Sequence, residues 1–199
     1  STACIWEEAT KPTYDVVAAK AHALLKETTL PPPQHTGEHG TEWGTAIHTL
    51  LEAAMENPDA ELAPLARSVL EQQQLDSNLL PSLLESVTRA IGSDIWRRAQ
   101  ESSECLVEVP FSYLTSQDQL DTVVRGVIDL AFREEDGWVL VDYKSDRVGK
   151  DPDKAEETLR ARYAAQLAAY AQAWEQVTGE KVIEQGLLLT HYDKYVRLP

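Results

Sequence analysis

Asp129, Asp142 and Lys144 are the residues of this chain whose types and spacing are best suited to chemistry. They lie in two short apolar segments, 125–129 and 138–144, which are separated by residues typical of a tight turn. The simplest structure for such a pair of segments is a β-hairpin. Because side chains alternate along a strand, Asp142 and Lys144 are predicted to share one face of the sheet while Tyr143 points away.

The pairing register of this hairpin decides whether the three charged groups meet. If Arg133 pairs with Trp138, Asp129 lies directly opposite Asp142. If the turn centres one residue later, Asp129 lies opposite Lys144, and Asp142 is one step along on the same face. A three-residue loop with a bulge would separate the groups. The sequence leaves all three arrangements open.

Two carboxylates and one lysine among apolar neighbours need a physical explanation. Like charges directly opposite each other destabilise a sheet, and half-buried ions are costly unless they are paired or hold a metal. Oxygen ligands from two carboxylates suit Mg²⁺ or Mn²⁺, and an adjacent lysine can orient a water molecule. A surface hairpin with an ordinary Asp–Lys ion pair explains the same residues, so the hairpin alone does not decide between a site and a structural role.

The composition bounds the classes of protein to be considered. The 199 residues suffice for one domain with a substantial core, and 43% are hydrophobic. The formal charge of −15 argues against a large non-specific grip on nucleic acid, which Lys and Arg usually provide. Residues 125–170 hold 8 of the 18 basic and 10 of the 33 acidic residues, so most of the acidic excess lies elsewhere.

Cysteine usage and hydropathy bear on location. Cys4 and Cys105 form neither a disulfide framework nor a zinc or iron–sulfur ligand set, so we expect no iron–sulfur cluster and a reducing cytoplasm. No run of about 18 apolar residues occurs, and we expect no membrane span. The chain begins with Ser1 rather than Met, which suggests either processing or a fragment cut from a longer polypeptide.

The first half of the sequence has mainly helical periodicity. We predict helices at 12–26, 41–56, 59–74 and 78–100, with a loop at 28–40 and interruptions near Pro64 and Pro81. His48 lies beside the apolar stripe of the second helix, four residues after Gly44, whose missing side chain would let another element approach the imidazole. A core histidine is the structural alternative.

From Glu104 onward the pattern alternates and predicts strands. Alternate residues from Cys105 to Tyr113 are predicted on one face, with Glu108 on the other, where it faces either the aspartates or solvent. A long helix at 154–177 carries Gln166 and Tyr170 within an apolar stripe, and strands at 182–190 and 195–198 follow. A helix between strands predicts an α/β fold with part of the sheet parallel.

Four short motifs occur in a fixed order: Gly44-x-x-x-His48, Gly126-x-x-Asp129, Asp142-Tyr143-Lys144 and Gln166-x-x-x-Tyr170. In this order they resemble the RecB-type nuclease branch of the PD-(D/E)xK superfamily, over about residues 42–189. The segments 141–146 and 166–170 are particularly similar to the nuclease domains that end AddA- and RecB-type helicase-nucleases.

The resemblance implies a fold and a domain organisation. The fold is α/β (α+β), with a restriction-endonuclease-like core in which helices flank a central mixed sheet. Residues 1–199 would form a single nuclease domain, excised from a larger helicase-nuclease. Residues 1–103 would be its mainly helical portion carrying His48, and 104–199 its strand-rich catalytic core.

The resemblance also implies roles for individual residues. Asp129, Asp142 and Lys144 would be catalytic, and His48, Asp129, Asp142 and the carbonyl of Tyr143 would coordinate Mg²⁺, for which Mn²⁺ can substitute. Lys144 would position the attacking water. The remaining candidates, Gln166, Tyr170 and more weakly Glu108, would support the site or contact the DNA strand.

Two hypotheses about function follow from this resemblance. The first is an active DNA exonuclease that works on single-stranded DNA in the bacterial cytoplasm, and its partners would be helicase domains of the parent chain and a second subunit. The second is a catalytically silent module of the same fold that only docks DNA or a partner protein.

Overall fold

The computed structural model describes residues 26–29, 40–117 and 120–198. The predicted helix at 12–26 lies outside these residues, apart from its last position. In the order of the chain the elements are β1 (Lys26–Thr29), α1 (Gly40–Glu56), α2 (Leu62–Gln72), α3 (Leu80–Ile91), α4 (Asp94–Glu101), β2 (Cys105–Gln117), β3 (Leu120–Glu134), β4 (Gly137–Lys144), α5 (Pro152–Thr178), β5 (Val182–Leu189) and β6 (Lys194–Leu198).

The six strands form one mixed sheet in which β3 is central. β2 runs antiparallel to β3 along one edge, from Cys105↔Phe132 to Gln117↔Leu120. On the other edge, β1 pairs in parallel with the first half of β3, and β4 pairs antiparallel with its second half. Within the described residues, 126–129 therefore have no partner strand on that second edge. We call this gap between β1 and β4 the fork.

The rest of the sheet confirms the prediction of a mixed α/β architecture. β5 lies parallel to β4 and is joined to it through α5, while β6 closes the sheet antiparallel to β5. Asp151 caps α5 by accepting hydrogen bonds from the amides of Asp153 and Lys154, with Pro152 in the first turn. The helix ends at Gly179, whose φ of 72° is left-handed, as the predicted helix end requires.

The structure corrects three predictions about the first half of the chain. Thr28 and Thr29 were predicted in a loop, but they belong to β1, which is stabilised by pairing with β3 rather than by local sequence. The predicted helix at 78–100 is two helices, because Ser93 caps α4 with a hydrogen bond from the amide of Trp96. Pro64 and Pro81 interrupt nothing. They occupy the first turns of α2 and α3, where no amide donor is needed.

Hydrophobic clusters cover both faces of the sheet. On one face α1 to α4 pack against β3 and β4 around Leu50, Trp96 and Tyr143. On the other face α5 packs around Leu140 and Trp174. Covering both faces removes apolar surface from water and fixes the strands between two helical layers. Among the described helices, none combines the length and hydropathy that a membrane crossing requires.

Candidate active site

The β3–β4 hairpin adopts the first of the predicted registers. Arg133 pairs with Trp138 and Leu130 with Val141, where the ladder ends, and the same register would place Asp129 opposite Asp142 one residue further on. A bulged three-residue loop is excluded. Gly137 is required in the turn because it has a φ of 149° and a Cβ there would lie 2.6 Å from the carbonyl oxygen of Lys181.

Asp142 and Lys144 share the face of β4 that packs on α5. Their side chains are 3% and 0% exposed, and Lys144 Nζ lies 2.5 Å from Asp142 Oδ2. Neither of these two atoms makes a hydrogen bond of acceptable geometry to any described residue. The ammonium also lies 4.5 Å from the ring centroid of Tyr163, a cation–π distance. The lysine is thus held in a buried position by a carboxylate and an aromatic face.

Tyr143 points to the opposite face, as the alternation of β4 predicts. Its buried ring contacts His48 edge-on at 5.5 Å and lies 6.4 Å from Trp96. Its backbone remains available at the fork. The carbonyl oxygen lies 3.2 Å from His48 Nε2, and the amide donates to Asp129 Oδ2 at 2.6 Å.

The carboxylates of Asp129 and Glu108 both lie near the second ring nitrogen of His48, Nδ1. His48 Nδ1 lies 3.4 Å from Asp129 Oδ1 and 3.6 Å from Glu108 Oε1. Ligand atoms of these three residues all lie within 4.8 Å of one another, the arrangement of a group that can hold a metal ion. The main-chain oxygen of Tyr143 adds a fourth donor beside His48.

The backbone of Glu108 departs from a regular strand. Its neighbours Val107 and Val109 pair with Leu130 and Ile128, but no ladder pair joins Glu108 to Asp129. Glu108 has a φ of 48°, in the left-handed region that costs a non-glycine residue about 1–3 kcal/mol. The turn of the backbone brings the Glu108 carboxylate to within ion-pair distance of His48.

The same irregularity overturns the predicted alternation of β2. Cys105 and Val107 contact the cluster on the α1–α4 side, whereas Val109 and Phe111 contact the cluster on the α5 side. They were predicted on one face. The change occurs at Glu108, and β3 makes it at the same level, since Leu130 packs on the α1–α4 side and Ile128 on the α5 side.

The carboxylates control the charge of His48. Burial alone lowers the pKa of His48, but Asp129 and, to a smaller extent, Glu108 more than offset it and raise the pKa to about 10. In the metal-free chain the ring is therefore an imidazolium that holds the carboxylates together. A metal ion would replace this proton.

The two aspartates have opposite pKa shifts. Burial favours the neutral form of Asp129, but His48, Lys144 and the amide of Tyr143 together lower its pKa. Burial raises the pKa of Asp142 to about 6, and Asp129 adds to the rise while Lys144 opposes it. Although Lys144 and Asp142 form a close ion pair, burial therefore has the larger effect on the carboxyl group.

Gln166 and Tyr170 lie on the face of α5 that covers β2 and β3. Gln166 Nε2 donates to the Tyr170 hydroxyl at 2.6 Å. The Tyr170 ring packs edge-on against Phe111 at 5.5 Å, and both rings come close to Gly126, where a Cβ would lie 2.6 Å from Phe111. Burial, assisted by Asp142, raises the pKa of Tyr170 above its usual range. The Tyr170 hydroxyl is therefore within electrostatic range of Asp142, and Gln166 is joined to it by the hydrogen bond.

A second buried network supports Lys144 and was not identified from the sequence. The Tyr163 hydroxyl donates to Asp146 Oδ2 at 3.0 Å, and Arg162 Nη1 donates to Asp146 Oδ1 at 3.2 Å. Asp146 is 1% exposed. The available signal was the choice of Tyr rather than Phe in the apolar stripe of α5, since a buried hydroxyl needs a partner.

We expect Tyr163→Phe to lower the free energy of unfolding by about 2 kcal/mol, because it removes a hydrogen bond to a buried carboxylate but keeps the ring beside Lys144. Urea unfolding followed by circular dichroism measures the change. Tyr113→Phe, for which the structure shows no hydrogen bond of the hydroxyl, is the matched control. Equal stability of the two variants would contradict the role given to the Tyr163 hydroxyl.

Comparisons with known proteins agree with this geometry. The family model of the PD-(D/E)XK nuclease superfamily matches residues 19–196. The chain is 31% identical over 161 residues to an ATP-dependent helicase/nuclease subunit of Listeria welshimeri, covering 71% of this chain and 13% of that protein. The corresponding protein of Lysinibacillus sphaericus is 31% identical (79% and 14% covered), and that of Anoxybacillus flavithermus 34% (72% and 12%). The chain therefore spans only a small part of the length of these relatives.

Proposed function

Because this chain belongs to the PD-(D/E)XK nuclease superfamily, we propose that it is a Mg²⁺-dependent deoxyribonuclease that hydrolyses phosphodiester bonds in single-stranded DNA. The observation that carries the proposal is the convergence of His48, Glu108, Asp129 and the Tyr143 carbonyl at the fork of the sheet, beside the buried Asp142–Lys144 pair.

The donor set fits a hard divalent cation. His48, Asp129, Asp142 and the Tyr143 carbonyl would hold the ion, with Glu108 as a further carboxylate. Asp142 Oδ2 is buried beside Lys144, and a metal ion would give a second positive partner to a carboxyl group whose pKa burial raises to about 6. A bound Mg²⁺ polarises the phosphodiester and lowers the pKa of a water molecule.

The protein groups supply orientation and charge. Lys144 is close enough to lower the pKa of Asp129, so its ammonium lies at the acidic cluster rather than in solvent. From there it would donate to the attacking water and stabilise the negative charge that develops on the phosphate. Gln166 and Tyr170 would support this arrangement or contact the strand.

The relatives suggest the wider setting. Each carries the name of an ATP-dependent helicase/nuclease subunit, and the chain matches 12–14% of their lengths. We infer that residues 1–199 are one nuclease domain of such a protein in a bacterial cytoplasm. Helicase domains of the parent chain would deliver single strands to this domain, which would degrade them as an exonuclease. A second subunit would complete the complex.

Cleavage of a labelled single-stranded oligonucleotide tests the activity. We expect products with Mg²⁺ or Mn²⁺, none with EDTA, and slower cleavage of a blunt duplex of the same sequence. No cleavage with either metal, by the chain or by its parent complex, would contradict the proposal and favour a silent DNA-docking module.

Metal binding is expected to release about one proton at pH 8, because His48 is protonated in the metal-free chain and must lose this proton to bind the ion. The apparent affinity should then rise with pH, about tenfold per unit until the pH approaches the pKa of His48. Titration calorimetry with Mn²⁺ in two buffers of different ionisation enthalpy counts the protons. His48→Ala is the control that should release none, and pH-independent affinity of the unsubstituted chain would contradict this ligand role.

A further inference from the structure

A polar groove of about 260 Å³ is lined in part by residues that neighbour the proposed site in sequence, and it has no part in the chemistry described above. It runs between α1 and α3 on one side and the segments that follow β4 and β5 on the other. Its lining includes Trp43, Glu85, Ser86, Arg89, Ser145 and Arg147. We call it the Arg147 groove.

The groove is continuous with the site through the backbone. Ser145 follows Lys144 directly, and the Lys144 carbonyl accepts a hydrogen bond from the amide of Thr190, which also lines the groove. On the other side, Trp43 precedes His48 by little more than one turn of α1. A strand whose phosphate reached the fork would therefore bring its neighbouring nucleotide close to this groove.

The lining has the chemistry of a nucleotide-binding surface. Arg89 and Arg147 bring two guanidinium groups together in a chain whose formal charge is −15. Arg89 Nη1 donates to Glu85 at 2.9 Å, which orients the side chain, while its buried Nε has no hydrogen-bond partner among the described residues. Half-buried Trp43 adds an aromatic face, and serine hydroxyls add neutral donors. Basic groups with an aromatic platform are the usual means of holding a single strand.

Another groove with two arginines lacks the aromatic platform. It is larger, about 450 Å³, and is lined by Arg98 and Arg133. Arg98 is paired with Glu134 and Glu184, and Arg133 is paired with Glu180. Its lining includes no aromatic residue, so it offers no surface on which a base could stack.

We propose that the Arg147 groove binds the nucleotide adjacent to the scissile phosphate of single-stranded DNA. Arg89 and Arg147 contact its phosphate and Trp43 stacks on its base. This inference rests on the proposed nuclease function, since it assigns one subsite of the same substrate.

Binding is tested first, without cleavage, in a Lys144→Met background with Mg²⁺ and a fluorescein-labelled oligo-dT. Adding Arg147→Ala is expected to weaken binding about tenfold and to reduce the slope of log affinity against log salt by about 0.7, the value for one phosphate contact on a single strand. Arg67→Ala, an exposed arginine on α2 away from the groove, is the matched control and should change neither quantity. An unchanged slope for Arg147→Ala, or an equal change for Arg67→Ala, would overturn the phosphate contact.

The stacking contact is tested with a strand of equal length that lacks bases. The Lys144→Met chain should bind this abasic strand about tenfold more weakly than oligo-dT, and Trp43→Leu, which keeps apolar volume for folding, should lose most of that difference. A thermal melt confirms that the variant is folded. If Trp43→Leu discriminates the two strands as well as its parent, the base does not stack on Trp43 and the proposal fails.

Kinetics separate this proposal from the proposed function. In the otherwise unsubstituted chain, Arg147→Ala should raise KM for single-stranded DNA about tenfold with kcat within about twofold, because the groove positions the strand and does not touch the reacting atoms. A loss confined to kcat would overturn the subsite. Absence of cleavage by the unsubstituted chain would contradict the nuclease proposal, while the binding measurements would still decide what the groove does.

Discussion

Lys144→Met is expected to lower kcat on single-stranded DNA by a factor of about 10² to 10³, the effect of removing one positioned donor from a site that stabilises developing charge. Met is one atom shorter than Lys and lacks only the terminal ammonium, so the apolar surroundings on α5 remain largely filled. Because Lys144 lowers the pKa of Asp142, its removal raises that pKa further above 6, and Asp142 takes up a proton near neutral pH. A single-turnover cleavage assay measures the loss, which should be smaller at pH 9 than at pH 7.

Lys150→Met is the matched control for this substitution, since Lys150 is an exposed lysine in the segment after β4. It should retain the activity of the unsubstituted chain. Thermal melts distinguish lost chemistry from lost structure. A Lys144→Met chain that is folded, binds Mn²⁺ and cleaves at the original rate would remove Lys144 from the mechanism.

Asp129→Asn is expected to abolish metal-dependent cleavage, with a loss of at least about 10³-fold, because Asp129 is a proposed metal ligand and also carries the negative charge that raises the pKa of His48. The side-chain oxygen of Asn can still accept the hydrogen bond from the amide of Tyr143, so β3 and β4 should stay joined at this position. Without the charge of Asp129, the pKa of His48 should fall from about 10 toward its ordinary value, since Asp129 is the main group that raises it. An NMR titration of the His48 ring measures this fall.

Asp136→Asn, in the exposed turn between β3 and β4, is the control and should leave both the activity and the His48 titration unchanged. If Asp129→Asn keeps the Mn²⁺-induced rise in melting temperature, Asp129 is not a ligand. If the pKa of His48 remains near 10 in that variant, Glu108 rather than Asp129 sets the charge of the ring.

The hairpin was predictable because its chemistry is local. A turn rich in acidic residues and glycine between two apolar segments predicted the hairpin, and the alternation of side chains along any strand then determined which of them share a face. The register was one of two compatible with an even loop, and the structure selects the one with Arg133 opposite Trp138. The approach of His48 to this hairpin across 95 residues of sequence was accessible only through the order of the motifs, because no local pattern encodes a contact of that range.

The remaining features depend on tertiary structure. No propensity places Glu108 in a left-handed conformation within a strand, so the change of face in β2 could not be predicted from alternation. β1 is held by the exposed edge of β3 and not by its own sequence. The pairing of Tyr163 with Asp146 joins α5 to the segment after β4, and the Arg147 groove joins segments far apart in the chain.

Glu108 also bears on the redesign of this backbone. A procedure that selects residues for stability alone would place Gly or Asn at position 108, since these residues tolerate a φ of 48° far better than Glu. The same procedure would remove the facing negative charges of Asp129 and Asp142 from the interior. A sequence optimised in this way would keep the sheet and lose the carboxylates of Glu108, Asp129 and Asp142. A redesign that aims to keep the function must therefore leave unchanged these residues, which are unfavourable for stability.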